Sequence, residues 1–313
     1  MCIVPERKWI KLRITNNMLI NNMMLSLSNN LSRTQKYQYQ LASGKKIRLP
    51  SDDPIVASKS LKLRTDVSEI QQFKRNTDDA ISWMDITEST MRQMTEIVHR
   101  MREITNQAAN GTNTAEDLEK IKAEAEQLRN QLIDLGNATY AGRYIFSGFK
   151  TDKPLLDASG NFNIDISNSE QIKFEIGIGD DINVNVTGSD LFNGGTDAAS
   201  GEKSKLVDVF DRVIVAMGSD DKSQLGSLLA DIDEQIDNLL RVESGLGARM
   251  NRVELTANRL DDDLVSFTNL MSKNEDVDMA EAIMNLQNEA NVYMASLATS
   301  AKVIQPSLVD FLK

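Results

Sequence analysis

The sequence predicts a mainly α protein: a coiled-coil bundle of long helices built from both halves of the chain, with terminal helices and a small β-rich insert domain. A 4-3 alternation of apolar residues runs from Ile232 to Met271, and two further apolar repeats of helical period stand upstream of it. Between Lys150 and Lys203 the period drops to two, the spacing of a strand. With 41% hydrophobic and 26% charged residues the chain has apolar material for one or two cores, and 14 Met against 5 Pro suits long helices.

The strongest repeat is Ile232, Ile236, Leu239, Leu246, Met250, Val253, Ala257, Leu260, Leu264, Phe267 and Met271, with Glu243 on the seam against the pattern. Ser219 and Asp220, after Gly218, are the expected start of this helix, which runs to about Ser272 and needs partners to cover its seam. Those partners lie upstream. Asp53 followed by Pro54 reads as an N-cap with Pro at the first helical position, opening a helix towards Gly111 whose later seam is Met84, Met91, Met94, Val98, Met101 and Ala108. Thr114, with Asp117 three residues on, caps a third helix with the seam Leu118, Ile121, Ala125, Leu128, Leu132 and Leu135.

In the insert, Phe162-Asn163-Ile164-Asp165-Ile166 and Ile182-Asn183-Val184-Asn185-Val186 alternate, with Gly and Asn at the turns. The last segment opens on Asp278, with Glu281 at the third helical position, and repeats Met279, Ile283, Leu286, Ala290, Tyr293, Leu297, Ala301, Ile304, Leu308 and Phe311. From Ile14 to Leu41 the repeat of Met23, Leu27, Leu31 and Leu41 is weaker, diluted by Asn16, Asn17, Asn21, Asn22, Asn29 and Asn30. Such a stretch is barely helical by itself.

The formal charge of -11 argues against nucleic acid, which needs a basic patch to displace counterions. Residues 1 to 50 differ, with nine Lys or Arg against Glu6, a net of +8 that leaves -19 for residues 51 to 313. This basic opening lacks the apolar core of a signal peptide, and no stretch approaches the 18 or so apolar residues of a membrane span. Cys2 is the sole cysteine, so no disulfide forms within the chain.

Isolated features resolve into ordinary structure. His99, the one histidine, has no partners for catalysis or metal binding around it, and the Met series at heptad spacing reads as core. Asp181, Asn183 and Asn185 imitate half a calcium loop, but Val186 stands where Gly is obligatory and Phe192 where the bidentate Glu belongs. Gly44-Lys45-Lys46 lacks the rest of a phosphate loop, and residues 150 to 203 hold no His or Cys. No enzyme activity, metal or cofactor is expected.

Four runs bear on kinship: Leu41-Ala-Ser-Gly-Lys-Lys-Ile-Arg-Leu-Pro-Ser-Asp-Asp-Pro54, Gln107-Ala-Ala-Asn-Gly-Thr112, Gly142-Arg-Tyr-Ile-Phe-Ser-Gly148 and Ile304-Gln-Pro-Ser-Leu-Val-Asp-Phe-Leu312. Over about residues 12 to 150 and 204 to 313 the chain resembles the bacterial flagellin superfamily, in its hook-filament junction branch rather than the flagellins proper. The resemblance implies a structural subunit of the flagellum that joins hook to filament and templates flagellin polymerisation. It implies self-assembly into a ring, with the first hook-associated protein on the hook side, flagellin on the filament side and a flagellar export chaperone on the C-terminal helix. It also implies type III export of the unfolded chain, a secreted, extracellular location in the flagellum, and neither nucleic acid nor membrane insertion. Alternatives are a flagellin that forms the filament itself and a soluble coiled-coil signalling adaptor.

The expected domains follow. Residues 12–52 and 276–313 are N- and C-terminal assembly helices of an inner tube, 53–149 and 204–275 the two halves of a helical rod, and 150–203 an outward β-rich insert. The expected assembly interface is Ile14, Met18, Leu27, Leu31, Leu41, Ile283, Leu286, Tyr293, Leu297, Ile304, Leu308 and Phe311, folding when neighbours cover it. Leu12-Arg13-Ile14-Thr15-Asn16 stands where such proteins begin Met-Arg-Ile-Thr-Asn. The expectation is therefore that Leu12 is the true start, a TTG or CTG codon, and that residues 1–11 are a mis-called extension.

Overall fold

The protein is described by a computed structural model over residues 16–110, 114–219 and 221–303. In chain order it forms α1 (Asn16–Ser43), α2 (Pro54–Ala109), α3 (Ala115–Gly136), β1 (Thr139–Tyr140), β2 (Arg143–Tyr144), β3 (Lys173–Gly177), β4 (Asp180–Asn183), α4 (Gly188–Asn193), α5 (Lys205–Ser219), α6 (Lys222–Glu275) and α7 (Met279–Val303). The expected mainly α class with a small β-rich insert is what forms. Contacts divide the chain into one unit of residues 68–265 and a second made of the remaining N- and C-terminal residues.

The core of the 68–265 unit is built on the apolar stripe of α2. Met84, Met91, Met94, Val98 and Met101 are fully buried, and Ala108 nearly so. Their flexible thioether side chains fill the space between α3, α5 and α6. From α3 come Leu118, Ile121, Ala125 and Leu132, with Leu128 and Leu135 half-buried against them. From α6 come Ile232, Ile236, Leu239, Leu246, Val253 and Leu260. Where Glu243 interrupts the seam, Val242 takes the buried position, three residues after Leu239 and four before Leu246. The repeat is thereby kept without burying the carboxylate.

The buried threonines of α2 are satisfied locally, whereas Trp83 Nε1 is buried with no hydrogen-bond partner among the described residues. The hydroxyls of Thr77, Thr87, Thr90, Thr95 and Thr105 each donate to the carbonyl four residues earlier on α2, at 2.7 to 3.0 Å. Between helices the ties are ion pairs, exposed except for that of Arg129. Arg102 meets Asp233 and Lys74 meets Asp261 from α2 to α6, Arg100 meets Glu124 from α2 to α3, and Arg129 meets Asp211 from α3 to α5.

The caps of α2 and α3 form as the sequence indicates. Asp53 Oδ1 accepts from the amides of Ile55 and Val56, and Thr114 and Asp117 make a reciprocal capping box. The expected start of α6 at Ser219 and Asp220 needs correction. Ser219 ends a separate helix, α5, and Asp221 caps α6, its Oδ1 accepting from the Gln224 amide at 3.1 Å. Helix α5 was not anticipated. Its Leu206, Val207, Val209, Phe210, Val213, Ile214, Ala216 and Met217 are buried, while Lys205, Arg212 and Val215 are exposed and Asp208 and Asp211 half-buried, so the helix is amphipathic with a wide apolar face.

In the insert the expected alternation governs burial more than pairing. Phe162, Ile164 and Ile166 point in and Asn163 and Asp165 point out, yet this run makes only isolated bridges, Leu156 to Phe162 and Ile166 to Ala198. An antiparallel ladder joins β3 to β4, with Phe174 opposite Ile182 and a register shift between Glu175 and Gly177. The insert rests directly on α5. Gly160, at φ +84°, brings its backbone so close that a Cβ there meets Val207 Cγ1 at 2.4 Å.

Replacing Met94 by Ala should lower stability by about 2–5 kcal/mol, because the cavity it leaves is walled on all sides. Leu255→Ala, at a side chain 71% exposed on the same bundle, should change it by less than about 0.5 kcal/mol. Chemical denaturation of the two variants checks the contrast.

Candidate assembly interface

The second unit is organised by the pairing of α1 with α7. What lies between them is mixed: Met23, Leu27 and Leu41 of α1 and Leu286 and Tyr293 of α7 are half-buried beside polar and small side chains. Asn30, buried, donates through Nδ2 to Ser296 Oγ at 2.9 Å, and its Oδ1 accepts from Arg33 at 2.6 Å. Arg33 Nε also reaches Glu289 Oε1 at 2.9 Å, while Glu289 Oε2 is buried with no hydrogen-bond partner among the described residues. The buried residues of α7 are Ala282 and Ser300. Asn30, one of the residues that dilute the sequence repeat, is thus the polar centre of the pair.

A clasp fixes the start of this pair. Gly44, at φ +71°, ends α1, and the next residues run antiparallel to the link between α6 and α7. The Lys46 amide donates to the Glu275 carbonyl at 2.8 Å and the Val277 amide to the Gly44 carbonyl at 2.9 Å. Lys45 Nζ lies 2.7 Å from Asp276 and 3.7 Å from Glu275, and Arg64 grips both oxygens of Glu275. The Glu275 side chain is only 5% exposed, so two cations at its oxygens are what make its burial tolerable. The pairing with Lys45 lowers the pKa of Asp276, helped by Ser272 Oγ, and raises that of Lys45. Asp278 then caps α7, accepting from the amides of Ala280 and Glu281.

Large apolar side chains face away from the pair. On α1, Met18 and Leu25 stand seven residues apart, as do Met24 and Leu31, so they form two stripes, all exposed. On α7, Met279, Ile283, Met294 and Leu297 follow one side of the helix, again exposed, with Met284 and Val292 elsewhere. Of the sequence-derived interface, Leu27, Leu41, Leu286 and Tyr293 are half-buried and Met18, Leu31, Ile283 and Leu297 are exposed. Ile14, Ile304, Leu308 and Phe311 lie outside the described residues, as does the segment before Leu12. Met24, Leu25, Met284, Val292 and Met294 were missed because a single seam was sought where the helices carry several apolar stripes.

Among the described residues no helix is long and apolar enough to cross a membrane, and no three His, Cys, Asp or Glu stand together as metal ligands.

Residues 14–151 match the bacterial flagellin N-terminal helical region and residues 229–312 its C-terminal helical region. A flagellin of Bacillus subtilis (strain 168) is 30% identical over 307 residues, 94% of this chain and 97% of the relative. The chain belongs to the bacterial flagellin family. Flagellar hook-associated protein 3 of Escherichia coli (strain K12) is 26% identical over 303 residues, 91% of this chain and 95% of that protein. Among solved structures, a flagellar hook-associated protein from Vibrio parahaemolyticus superposes with a TM-score of 0.63 at 23% identity, covering 72% of this chain and all of the other. Flagellar hook associated protein-3 from Legionella pneumophila gives 0.59 at 20% identity, covering 67% and 97%. These two likenesses establish a shared fold.

The clasp yields a signed pH dependence. Asp276, with its pKa depressed in the folded chain, stabilises above the unfolded carboxyl value of about 3.9, and this contribution is lost as pH falls through the folded value. Lys45, with its pKa raised, stabilises below about 10.4, and this is lost as pH rises through its folded value. Thermal unfolding followed from pH 2 to 12 should weaken at both ends in the parent chain and less steeply in Asp276→Asn. Glu275→Gln should cost about 2 kcal/mol at neutral pH, by weakening charge-assisted bonds to Arg64 and Lys45.

Proposed function

We propose that this chain is the hook-filament junction subunit of a bacterial flagellum, a structural protein with no catalytic role. The observation that carries the reading is the α1–α7 pair: Met24, Leu31, Ile283, Met294 and Leu297 stay exposed although Asn30, Arg33, Glu289 and Ser296 already tie the two helices together. A helical pair that leaves its apolar stripes uncovered is suited to packing among copies of itself. Similarity to the Escherichia coli hook-associated protein 3 over nearly the whole of both chains favours the junction within that class.

On this reading the subunits form a ring, with the first hook-associated protein below and flagellin above. Residues 12–52 and 276–313 are the assembly helices of the inner tube, including Ile14, Ile304, Leu308 and Phe311. Residues 53–149 and 204–275 form the rod, and the insert of 150–203 faces outward. The chain is exported, with a chaperone on its C-terminal helix, and acts outside the cell. The terminal pair gains its final order on assembly, where burial of the exposed stripes offsets the entropy of ordering. A second reading, filament flagellin, has the 30% identity to the Bacillus subtilis flagellin in its favour.

Deletion of the gene separates the two. A junction subunit should leave bare hooks with flagellin released into the medium; bare hooks with no flagellin anywhere would identify the filament subunit instead, and normal filaments would defeat both. Leu297→Asp should abolish filament attachment while residues 68–265 remain folded, as read by helical circular dichroism and resistance to proteolysis. Loss of the whole fold in that variant would contradict an interface role for α7.

A further inference from the structure

Among the described residues only two arginines are withdrawn from solvent, Arg129 and Arg249. Arg129 has the carboxylate of Asp211 at 2.5 Å. Arg249, midway along α6, has no carboxylate in contact. Its Nη1 donates to the carbonyls of Asn183 and Asn185 at 3.1 Å each and its Nε to the Gly245 carbonyl at 3.3 Å. Nη2 has no acceptor among the described residues. Burial lowers the pKa of this guanidinium, and Asp190 opposes that only from a distance. A half-buried cation held by neutral carbonyls, with Nη2 still open to solvent, can take an anion at that nitrogen.

Beside Arg249 is a hollow of about 270 Å³ between α6 and the insert. Asn168, Gln171 and Asn183 line it with side-chain amide nitrogens that make no hydrogen bond among the described residues. Asp190 lies on its rim, its charge already balanced by Arg241 at 2.6 Å. At the helix side stands Gly245, where an added Cβ meets nothing within 4 Å. No close packing demands that glycine, and it costs about 1 kcal/mol relative to alanine inside a helix. Its effect is to leave the hollow open next to the guanidinium.

We propose that this hollow is a binding site for one acidic sugar ring. The sugar carboxylate is taken by Nη2 of Arg249, and the hydroxyls by the amides of Asn168, Gln171 and Asn183 and the carboxylate of Asp190. A charged donor at one end and amides around the rest match a ligand with one anionic group and several hydroxyls. The volume, just below the roughly 300 Å³ at which ligand pockets begin, suits a single ring.

Isothermal titration of the full chain with sodium D-glucuronate, D-glucose and sodium sulfate tests the site. Glucuronate should bind saturably, with a dissociation constant on the order of 1 mM, and glucose and sulfate at least about tenfold more weakly, within the 1.4 kcal/mol per decade of affinity. Gly245→Leu fills the hollow while keeping the bonds of Arg249, and should weaken glucuronate at least about tenfold with the fold intact. Gly245→Ala serves as a folding control and should raise thermal stability. Absence of glucuronate binding, sulfate binding as tight as glucuronate, or undiminished binding in a folded Gly245→Leu protein would each overturn the proposal.

Discussion

One stripe of α2 decides how residues 68–265 fold, the buried line of Met84, Met91, Met94, Val98 and Met101. Each helix packed around it comes from a different place in the chain: α3 precedes the insert, while α5 and α6 follow it. Neither half therefore has a complete core. Methionine suits the position because its unbranched side chain adapts to a core whose members differ in size as much as Ala125 of α3, Phe210 of α5 and Leu239 of α6. The insert adds Phe162, Ile164 and Ile166 to the same core, so it is anchored through packing more than through sheet hydrogen bonds.

The terminal unit is built differently. Specific polar ties run through Asn30, Arg33, Ser296 and the ion cluster at Glu275; Leu27, Leu41, Leu286 and Tyr293 are only half-buried, and further apolar stripes are turned outward. Polar contacts fix register and partner but contribute little net stability. Apolar contacts supply stability once a neighbour excludes water. A pair built this way holds its own alignment while leaving the stabilising surface for assembly.

Much of this was legible in the residues. The seams of α2, α3 and α6 were visible because each helix buries one stripe and exposes the rest, and the Asp53 and Thr114 caps because their geometry is local. Helix α5 carries an amphipathic pattern too, with Asp208, Asp211 and Arg212 opposite its buried face, but Ser219, expected at the start of α6, ends it instead. The clasp at Glu275 was invisible since its members, Lys45, Arg64 and Asp276, are brought together only by the return of the chain. On α7 the sequence seam includes the half-buried Leu286 and Tyr293, but not Ala282, Ser296 and Ser300, which share the less exposed face. Small and hydroxylic residues carry no hydrophobic pattern.

The threonines of α2 have a mechanical consequence. Because each buried hydroxyl is closed on its own helix, none of them spans to a neighbouring helix. Longitudinal shear along α2 would thus meet no resistance from these interior hydrogen bonds. What opposes it is the shape of the methionine side chains, which yield readily, and the ion pairs on the bundle's skin, such as Arg102 with Asp233 and Lys74 with Asp261. The stiffness of the bundle against axial load is therefore a property partly set by the surrounding salt, since exposed ion pairs weaken as ionic strength rises while the interior does not respond to it.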